Sequence, residues 1–437
     1  MRIYNTKTNS VEEFKTITPG VVNMYVCGPT VYNYAHIGNM YPVMFFDCFH
    51  RYLEYKGYKV NFASNFTDVD DKIIKAALEL GVSEKEITDK FMQAYIEDSR
   101  NLGCLDVDYR PKVTDVMDDI IAFINLLLEH GYAYKAGDDV YFRVSKIQKY
   151  GFLSGQILDN LEAGNRIEVD INKENPYDFV LWKKTVDNGI KWDAQFGVGR
   201  PGWHSECVVM INKIFNGKID IHGGGVDLKF PHHENEMAQS IAAWGHDLAE
   251  FWMHNGHISV DGEKMSKSLG NFILARDLIQ KYSINVLRIA FLKNHYRSPM
   301  DISDNLFNES MSIDEKIFNV LRQSNLIIQT KNIEVGLINR DAKFESFMDD
   351  DINTPNVVTY LLDLIKDLNL ALRSNTEFSQ MYDKIRIICE VFGLSYDLPI
   401  LSEEDKILYQ DWLNAREIKD FSKADKLRVM LVDKKII

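Results

Sequence analysis

Positive charge is in short supply: 50 lysines and arginines against 64 aspartates and glutamates leave a net charge of −14. That balance argues against nonspecific adhesion to nucleic acid, so any RNA contact must use a local basic patch. Cysteine is scarce as well. Cys27, Cys48, Cys104, Cys207 and Cys389 are odd in number and widely scattered, which speaks against a disulfide framework and leaves reduced thiols or metal ligands. Long apolar runs are missing. The longest, residues 120–128, is interrupted by Asn125 and falls far short of the ~20 residues that a membrane-spanning helix needs. Residues 1–9 are polar and carry no apolar stretch of the signal-peptide kind. Internal repeats and low-complexity segments are absent too, and a soluble, cytoplasmic protein is the expectation.

Apolar and aromatic side chains are plentiful, 46% and 12% of 437 residues, enough for a large core spread over two to four domains. Val21-Val22-Asn23-Met24-Tyr25-Val26 is apolar and β-branched and stops at Cys27-Gly28-Pro29, so a buried strand feeds the loop that holds His36, Ile37 and Gly38. Apolar residues recur at helical spacing over residues 41–55, with Pro42 suited to a first turn and Gly57 at the stop. A second strand at 59–63 and a helix running to Leu80 continue the alternation of a parallel α/β sheet. Residues 106–199 read as an insertion, with a helix at 113–129, a strand at 140–144 and a polar stretch at 160–175. The alternation then resumes: a helix around Cys207, a strand at 219–221, a helix at 232–243 and a strand at 251–253. After Ser303 the sequence is nearly all helical.

His36-Ile37-Gly38-Asn39 follows the first strand and opens a helix, where backbone amides and an imidazole attract phosphate. Four residues are a weak signal alone, and a structural loop histidine fits them too. Lys264-Met265-Ser266-Lys267-Ser268 follows Val260-Asp261-Gly262; two lysines bracketing serines suit a pyrophosphate leaving group, or form a solvated basic turn. His232 and Glu236 stand four apart on an expected helix that starts near Pro231, so they share a face. With Cys207 on another helix and Cys27 at the first strand's end, they make a donor set suited to zinc, at the strand ends where ligands converge in an open sheet. Spacing alone leaves buried cysteines and a hydrogen-bonded histidine as the competing reading.

The histidine loop and the lysine loop together resemble the two nucleotide-binding motifs of class I aminoacyl-tRNA synthetases. Five further stretches narrow the likeness: Cys27-Gly28-Pro29-Thr30-Val31-Tyr32, Asn65-Phe66-Thr67-Asp68-Val69-Asp70-Asp71-Lys72, Gly199-Arg200-Pro201-Gly202-Trp203-His204-Ser205-Glu206-Cys207, Ile221-His222-Gly223-Gly224-Gly225 and Phe230-Pro231-His232-His233-Glu234-Asn235-Glu236. In that order they resemble the cysteinyl-tRNA synthetases. The likeness continues through Tyr296-Arg297-Ser298-Pro299, residues 348–355 and residues 419–425, covering nearly the whole chain.

The resemblance implies an α/β, Rossmann-like parallel-sheet catalytic domain at residues 1–105 and 200–255, interrupted by a connective domain at 106–199. A stem-contact region with the lysine loop at 256–310, a helical bundle at 311–400 and an anticodon-binding region at 401–437 would follow. It implies one zinc ion on Cys27, Cys207, His232 and Glu236, and substrate contacts from Thr67, Trp203, His222 and Asp227. ATP, carried with magnesium, would meet His36, Gly38, Asn39, Lys264 and Lys267, of which His36, Asn39, Lys264 and Lys267 form the catalytic group. The implied reaction joins L-cysteine to tRNA(Cys) through an adenylate, on a monomer with no membrane partner.

Two positions depart from the family pattern. Asn39 stands where histidine is usual, which keeps a donor and removes a possible charge. The chain stops at Ile436-Ile437, where relatives usually continue with a short basic, tryptophan-containing segment, so a shortened anticodon contact is expected. The competing enzyme is a cysteine ligase of the mycothiol-biosynthesis type with an aminosugar acceptor, which the helical tail and residues 419–425 disfavour. A non-catalytic relative would be expected to lose a lysine or a zinc ligand, and all are present.

Overall fold

The computed structural model describes residues 1–156, 172–265 and 271–437. Apolar β-branched runs and amphipathic segments alternate to give β1 (Val21–Val26), α1 (Ile37–Tyr55), β2 (Lys59–Ala63), α2 (Glu206–Phe215), β3 (Ile219–Gly225), α3 (Glu234–Trp244) and β4 (Ala249–Asn255). The four strands pair in parallel in the order β4-β3-β1-β2. Tyr25 lies opposite His222 and Val26 opposite Gly223, which brings the carboxyl ends of β1 and β3 side by side. The chain leaves β1 toward β2 on one side and comes back to β3 on the other. Open α/β sheets bind ligands in the crevice where the order reverses in this way.

A sheet covered on both faces needs strands without polar alternation. Val22, Met24, Tyr25, Ile219, Ile221, Trp252 and Met253 are accordingly all buried. The inserted segment shares this core, since Ile120, Phe123, Ile124 and Leu127 of helix Met117–Glu129 pack in one cluster with Val208, Met210, Ile219 and Trp252. Its own sheet is antiparallel: Ala133–Ala136, Asp139–Phe142, Phe179–Lys184 and Gly199–Pro201 pair in sequence order. A small sheet of Ile258–Val260, Glu263–Lys264 and Met300–Ile302 completes a compact unit made of Met1–Lys281 and Tyr296–Ile302.

Several boundaries differ from the sequence-based expectation. α1 starts at Ile37 rather than residue 41, because Asn39 Oδ1 accepts the N–H of His36 and closes the helix start there (3.2 Å). Pro42 therefore falls in the second turn, where its ring removes the bond that residue 42 would return to the Gly38 carbonyl. The helix expected over 113–129 begins with a tighter turn, Val113–Val116. The strand expected at 140–144 is Asp139–Phe142, since Val144 begins another short turn. α3 begins at Glu234, after an irregular turn Lys229–His233 in which Phe230 is extended (φ −139°, ψ 132°). β3 runs on through Gly223–Gly225, whose main chains are paired with β1 and β4 despite poor strand propensity. Most of the polar stretch at 160–175 lies outside the described residues.

A second unit, Tyr282–His295 with Ser303–Ile437, is helical throughout, so residues 256–310 are divided between the two units. Its helices open on polar caps at Ser303, Asn353, Ser402 and Asp420. The last two helices, Glu403–Glu417 and Phe421–Asp433, close through Leu401, Tyr409, Leu431 and Ile436 on Leu326 of helix Asp304–Lys331. Among the described residues, no helix is long and apolar enough to cross a membrane.

Candidate active site

The site is assembled from the ends of the central strands. Cys27 follows β1, and its N–H is held by the Gly223 carbonyl of β3 (3.1 Å). Gly28 donates its N–H to Asn65 Oδ1 (2.9 Å), and a Cβ there would lie 1.7 Å from the Asn65 carbonyl oxygen. Only glycine allows that approach. Cys207 comes from the first turn of α2, His232 from the irregular turn, and Glu236 from the first turn of α3.

Their donor atoms meet. Cys27 Sγ lies 3.6 Å from Cys207 Sγ and 3.8 Å from Glu236 Oε1, while His232 Nε2 lies 3.8 Å from Cys207 Sγ and 2.9 Å from Glu236 Oε1. Zinc takes sulfur at ~2.3 Å and nitrogen or oxygen at ~2.0–2.2 Å, so a tetrahedral set separates its donors by roughly 3.3–3.8 Å. These three sulfur edges match, and the His232–Glu236 edge is tighter. Two sulfurs with imidazole and carboxylate are a zinc-type donor set.

The four side chains perturb one another's protonation. Burial pushes the Cys27 thiol well up, while the hydrogen bond from Cys27 brings Cys207 down to about 7. Burial acts against charge on His232 and Glu236, yet each outweighs it for the other: the imidazole rises to about 10 and the carboxyl stays well below its usual range. His222 helps to hold Glu236 low.

A second group, Cys27, His222, His233 and Glu236, also places its donor atoms within 4.8 Å of one another. Two of its members have other work. His222 Nε2 meets the second oxygen of Glu236 (2.7 Å), and His233 Nδ1 meets His254 Nε2 (2.8 Å), whose Nδ1 meets Thr6 Oγ1 (2.9 Å). Cys27 Sγ lies 3.3 Å from His233 Nε2, so both rings lie against members of the two-cysteine set, the position that outer partners of metal ligands take.

Beside this cluster opens a cavity of about 490 Å³, lined among others by Cys27, His36, Gly38, Asn39, Trp203 and Asp227. These six sequence-chosen residues thus share one cavity. The His36 ring meets Phe272 edge-on (5.0 Å), and a Cβ on Gly38 would come within 2.9 Å of that ring. Met265 and Phe272 also line the cavity. Lys264 contributes its main chain to strand Glu263–Lys264, and Lys267 lies outside the described residues.

Thr67 and His222 are not among the lining residues. Thr67 is 2% exposed and donates its hydroxyl to Glu206 Oε2 (2.8 Å), while His222 is fully buried and stacks on Trp252 (4.6 Å, 21°). Trp203, 41% exposed, stacks on His232 (4.3 Å, 24°).

Sequence reasoning assigned no role to Asn65, Glu206, His233 or His254. Glu206 carried a signal: it is a carboxylate heading the apolar run Cys207-Val208-Val209-Met210-Ile211, fully buried here, and burial pushes its carboxyl well up. The histidines gave none, since His233 and His254 meet only through the pairing of β4 with β3 and the turn before α3.

A helix start carrying histidine over the switch point of a parallel sheet is the architecture of class I tRNA synthetases. A family model described as "tRNA synthetases class I (C) catalytic domain" matches residues 13–312, and a DALR domain model matches residues 343–396. The solved Mycobacterium tuberculosis methionyl-tRNA synthetase in complex with methionyl-adenylate has the same fold, with a TM-score of 0.62 at 15% identity over 85% of this chain and 89% of that one. Closer likenesses run the full length. The chain is 46% identical over 439 residues to the cysteine–tRNA ligase of Acholeplasma laidlawii, covering 100% of both. It is 45% identical over 455 residues to that of Oceanobacillus iheyensis, covering 100% of this chain and 97% of the relative. The chain belongs to the cysteine–tRNA ligase family.

Proposed function

We propose that this chain activates L-cysteine with ATP to cysteinyl-adenylate and transfers it to the 3′ end of tRNA(Cys). The observation that carries this reading is the Cys27, Cys207, His232 and Glu236 cluster, one member of which, Cys27, lines the cavity of His36 and Asn39. A thiol-recognising site thus adjoins a phosphate-recognising one. Zinc held by those four residues would favour a substrate thiolate over the neutral hydroxyl of serine.

The amino end of α1 offers main-chain donors and its positive dipole to the ATP phosphates. His36 stands at that end, and Asn39, whose oxygen is used by the His36 N–H, keeps its amide hydrogens for a phosphate oxygen. The cysteine carboxylate attacks the α-phosphorus in line, and the bond to pyrophosphate breaks. Lys264 and Lys267 neutralise the charge that builds on the departing group. Magnesium arrives with ATP, held mainly by phosphates and water. In the second step a terminal ribose hydroxyl of the tRNA attacks the adenylate carbonyl carbon and AMP leaves, so positioning does the work and no protein nucleophile is needed. Trp203 and Asp227 border the space in which the amino acid would sit. Thr67 acts one step further back, through its neighbours, and His222 through Glu236.

The DALR match at residues 343–396 supports tRNA rather than an aminosugar as acceptor. Exposed Lys423, Lys426 and Arg428 on the last helix supply the local basic patch that the overall charge lacks. A cytoplasmic monomer completes the reading. The test is charging with the purified protein, tRNA and ATP. Cysteinyl-tRNA should form with cysteine and not with serine; charging of both alike, or transfer to an aminosugar in place of tRNA, overturns the proposal.

A further inference from the structure

The segment that follows the lysine loop is paired with the segment that leads into α1. His36 faces Leu274 in an antiparallel bridge, in which the Ile37 N–H reaches the Ile273 carbonyl (3.0 Å) and the Ala275 N–H reaches the Ala35 carbonyl (3.0 Å). Arg276 comes next and extends this contact with its side chain. Its guanidinium carbon lies 3.7 Å from the centroid of the Tyr34 ring. Its Nη2 donates to Asp98 (3.2 and 3.4 Å to the two oxygens) on helix Glu84–Asn101, and Phe91 of that helix meets the Tyr34 ring edge-on (5.1 Å, 90°).

Two features separate this contact from an ordinary surface ion pair. Asp98 is 3% exposed, and Arg276 is its ion partner; a carboxylate buried this far holds its partner firmly, because losing it would leave a buried charge unpaired. Arg276 Nε is itself buried without a hydrogen-bond partner, so the guanidinium keeps its place over Tyr34 with one donor unused. Tyr34, Ala35, His36 and Phe272 all line the nucleotide cavity, whereas Arg276 does not. It stands behind the wall that carries the His36 ring and the Phe272 ring it meets.

We propose that Arg276 is a positioning residue for adenylate formation, which acts through Tyr34 and the paired main chains of residues 35–37 and 273–275 to fix where His36 meets ATP. The planar guanidinium covers the tyrosine ring in a way that a lysine ammonium does not reproduce. Transfer to tRNA, which begins after pyrophosphate has left, does not depend on this placement. The inference rests on ATP activation as proposed above.

The test compares Arg276→Ala and Arg276→Lys with the wild type, using the full chain. Single-turnover formation of cysteinyl-adenylate should fall roughly 10- to 100-fold in Arg276→Ala, the scale of a small misplacement of a reacting group, while transfer from preformed cysteinyl-adenylate to tRNA stays near the wild-type rate. Arg276→Lys keeps the charge beside Asp98, so its thermal unfolding should return toward that of the wild type while adenylate formation stays slow. In a His36→Gln background, Arg276→Ala should cost far less than it does alone, since a residue acting through His36 has little left to position. Equal falls in both steps, recovery of rate and stability together in Arg276→Lys, or fully additive losses with His36→Gln would each overturn the inference and leave Arg276 a structural ion pair. A wild type that forms no adenylate from cysteine and ATP overturns the proposed function, and this inference with it.

Discussion

Asn39 Oδ1 accepts the main-chain N–H of His36 at 3.2 Å, and this bond sets where α1 begins. Histidine at residue 39 could accept through one ring nitrogen and donate through the other, so asparagine preserves both functions in a smaller group. Asn39→His should therefore keep pyrophosphate exchange close to wild type. Asn39→Ala should lower stability by about 0.5–1.5 kcal/mol, the net worth of one hydrogen bond, and slow exchange as well. Thermal unfolding and exchange rates check both, and an alanine variant unaffected in either would remove Asn39 from the site.

The two candidate metal sets share Cys27 and Glu236 and differ in their other members. With the cobalt-loaded protein, Cys207→Ser should lose much of the sulfur-to-metal charge-transfer absorption. His222→Ala should keep that absorption and weaken metal binding about 10–100-fold, as loss of an outer partner does. Added cysteine, but not serine, should strengthen the wild-type band. A spectrum changed by His222→Ala and untouched by Cys207→Ser would assign the metal to the other set.

Lys267→Ala should slow single-turnover adenylate formation by about 10²–10³-fold, the usual loss for one preorganised electrostatic contact. Cysteine binding should change far less. Unchanged adenylate formation would make Lys267 a solvated surface charge.

Lys423, Lys426 and Arg428 are solvent-facing on the last helix. Reversing Arg428 to Glu should weaken tRNA charging and flatten its dependence on salt, because a phosphate contact releases counterions. Pyrophosphate exchange without tRNA should persist. Equal loss of both activities would make the helix a structural support.

His254 is buried, and burial holds its imidazole down to about 3. An unfolded histidine titrates near ~6.5, so between those values the unfolded chain binds a proton that the folded chain does not. Its contribution is complete above the unfolded value and is lost as pH falls toward the folded one. His204 acts in the same sense and His232, raised to about 10, in the opposite one, so the comparison must isolate one residue. His254→Gln should lose less stability between pH 7 and pH 5 than the wild type does in urea titrations. Identical losses would show that His254 takes its proton in the folded state.

Much of this architecture could be read from the chain. The apolar run ending at Cys27-Gly28-Pro29 specifies a buried strand and its abrupt end, because no polar alternation is present and glycine alone fits against Asn65. The alternation around it specifies a parallel sheet, and the full-length likeness identified the family. Local boundaries were less legible. The start of α1 turns on a single side-chain acceptor, and the start of α3 on one extended residue, Phe230, neither of which leaves a mark in hydrophobic periodicity.

The sequence by itself determined which side chains were available: two cysteines, a histidine and a glutamate of zinc-binding type, and a histidine loop at a helix start. Tertiary structure decided what each of them faces. His222 stands behind Glu236 and Thr67 is tied to Glu206, so neither opens on the cavity, because strand pairing and helix packing turn them inward. Cys27, 180 positions away from Cys207 in sequence, reaches it only because β1 and β3 are neighbours in the sheet. The physical reason is range. Propensity and periodicity act over a few residues, whereas a site at a topological switch point is built from segments that meet only when the sheet is complete.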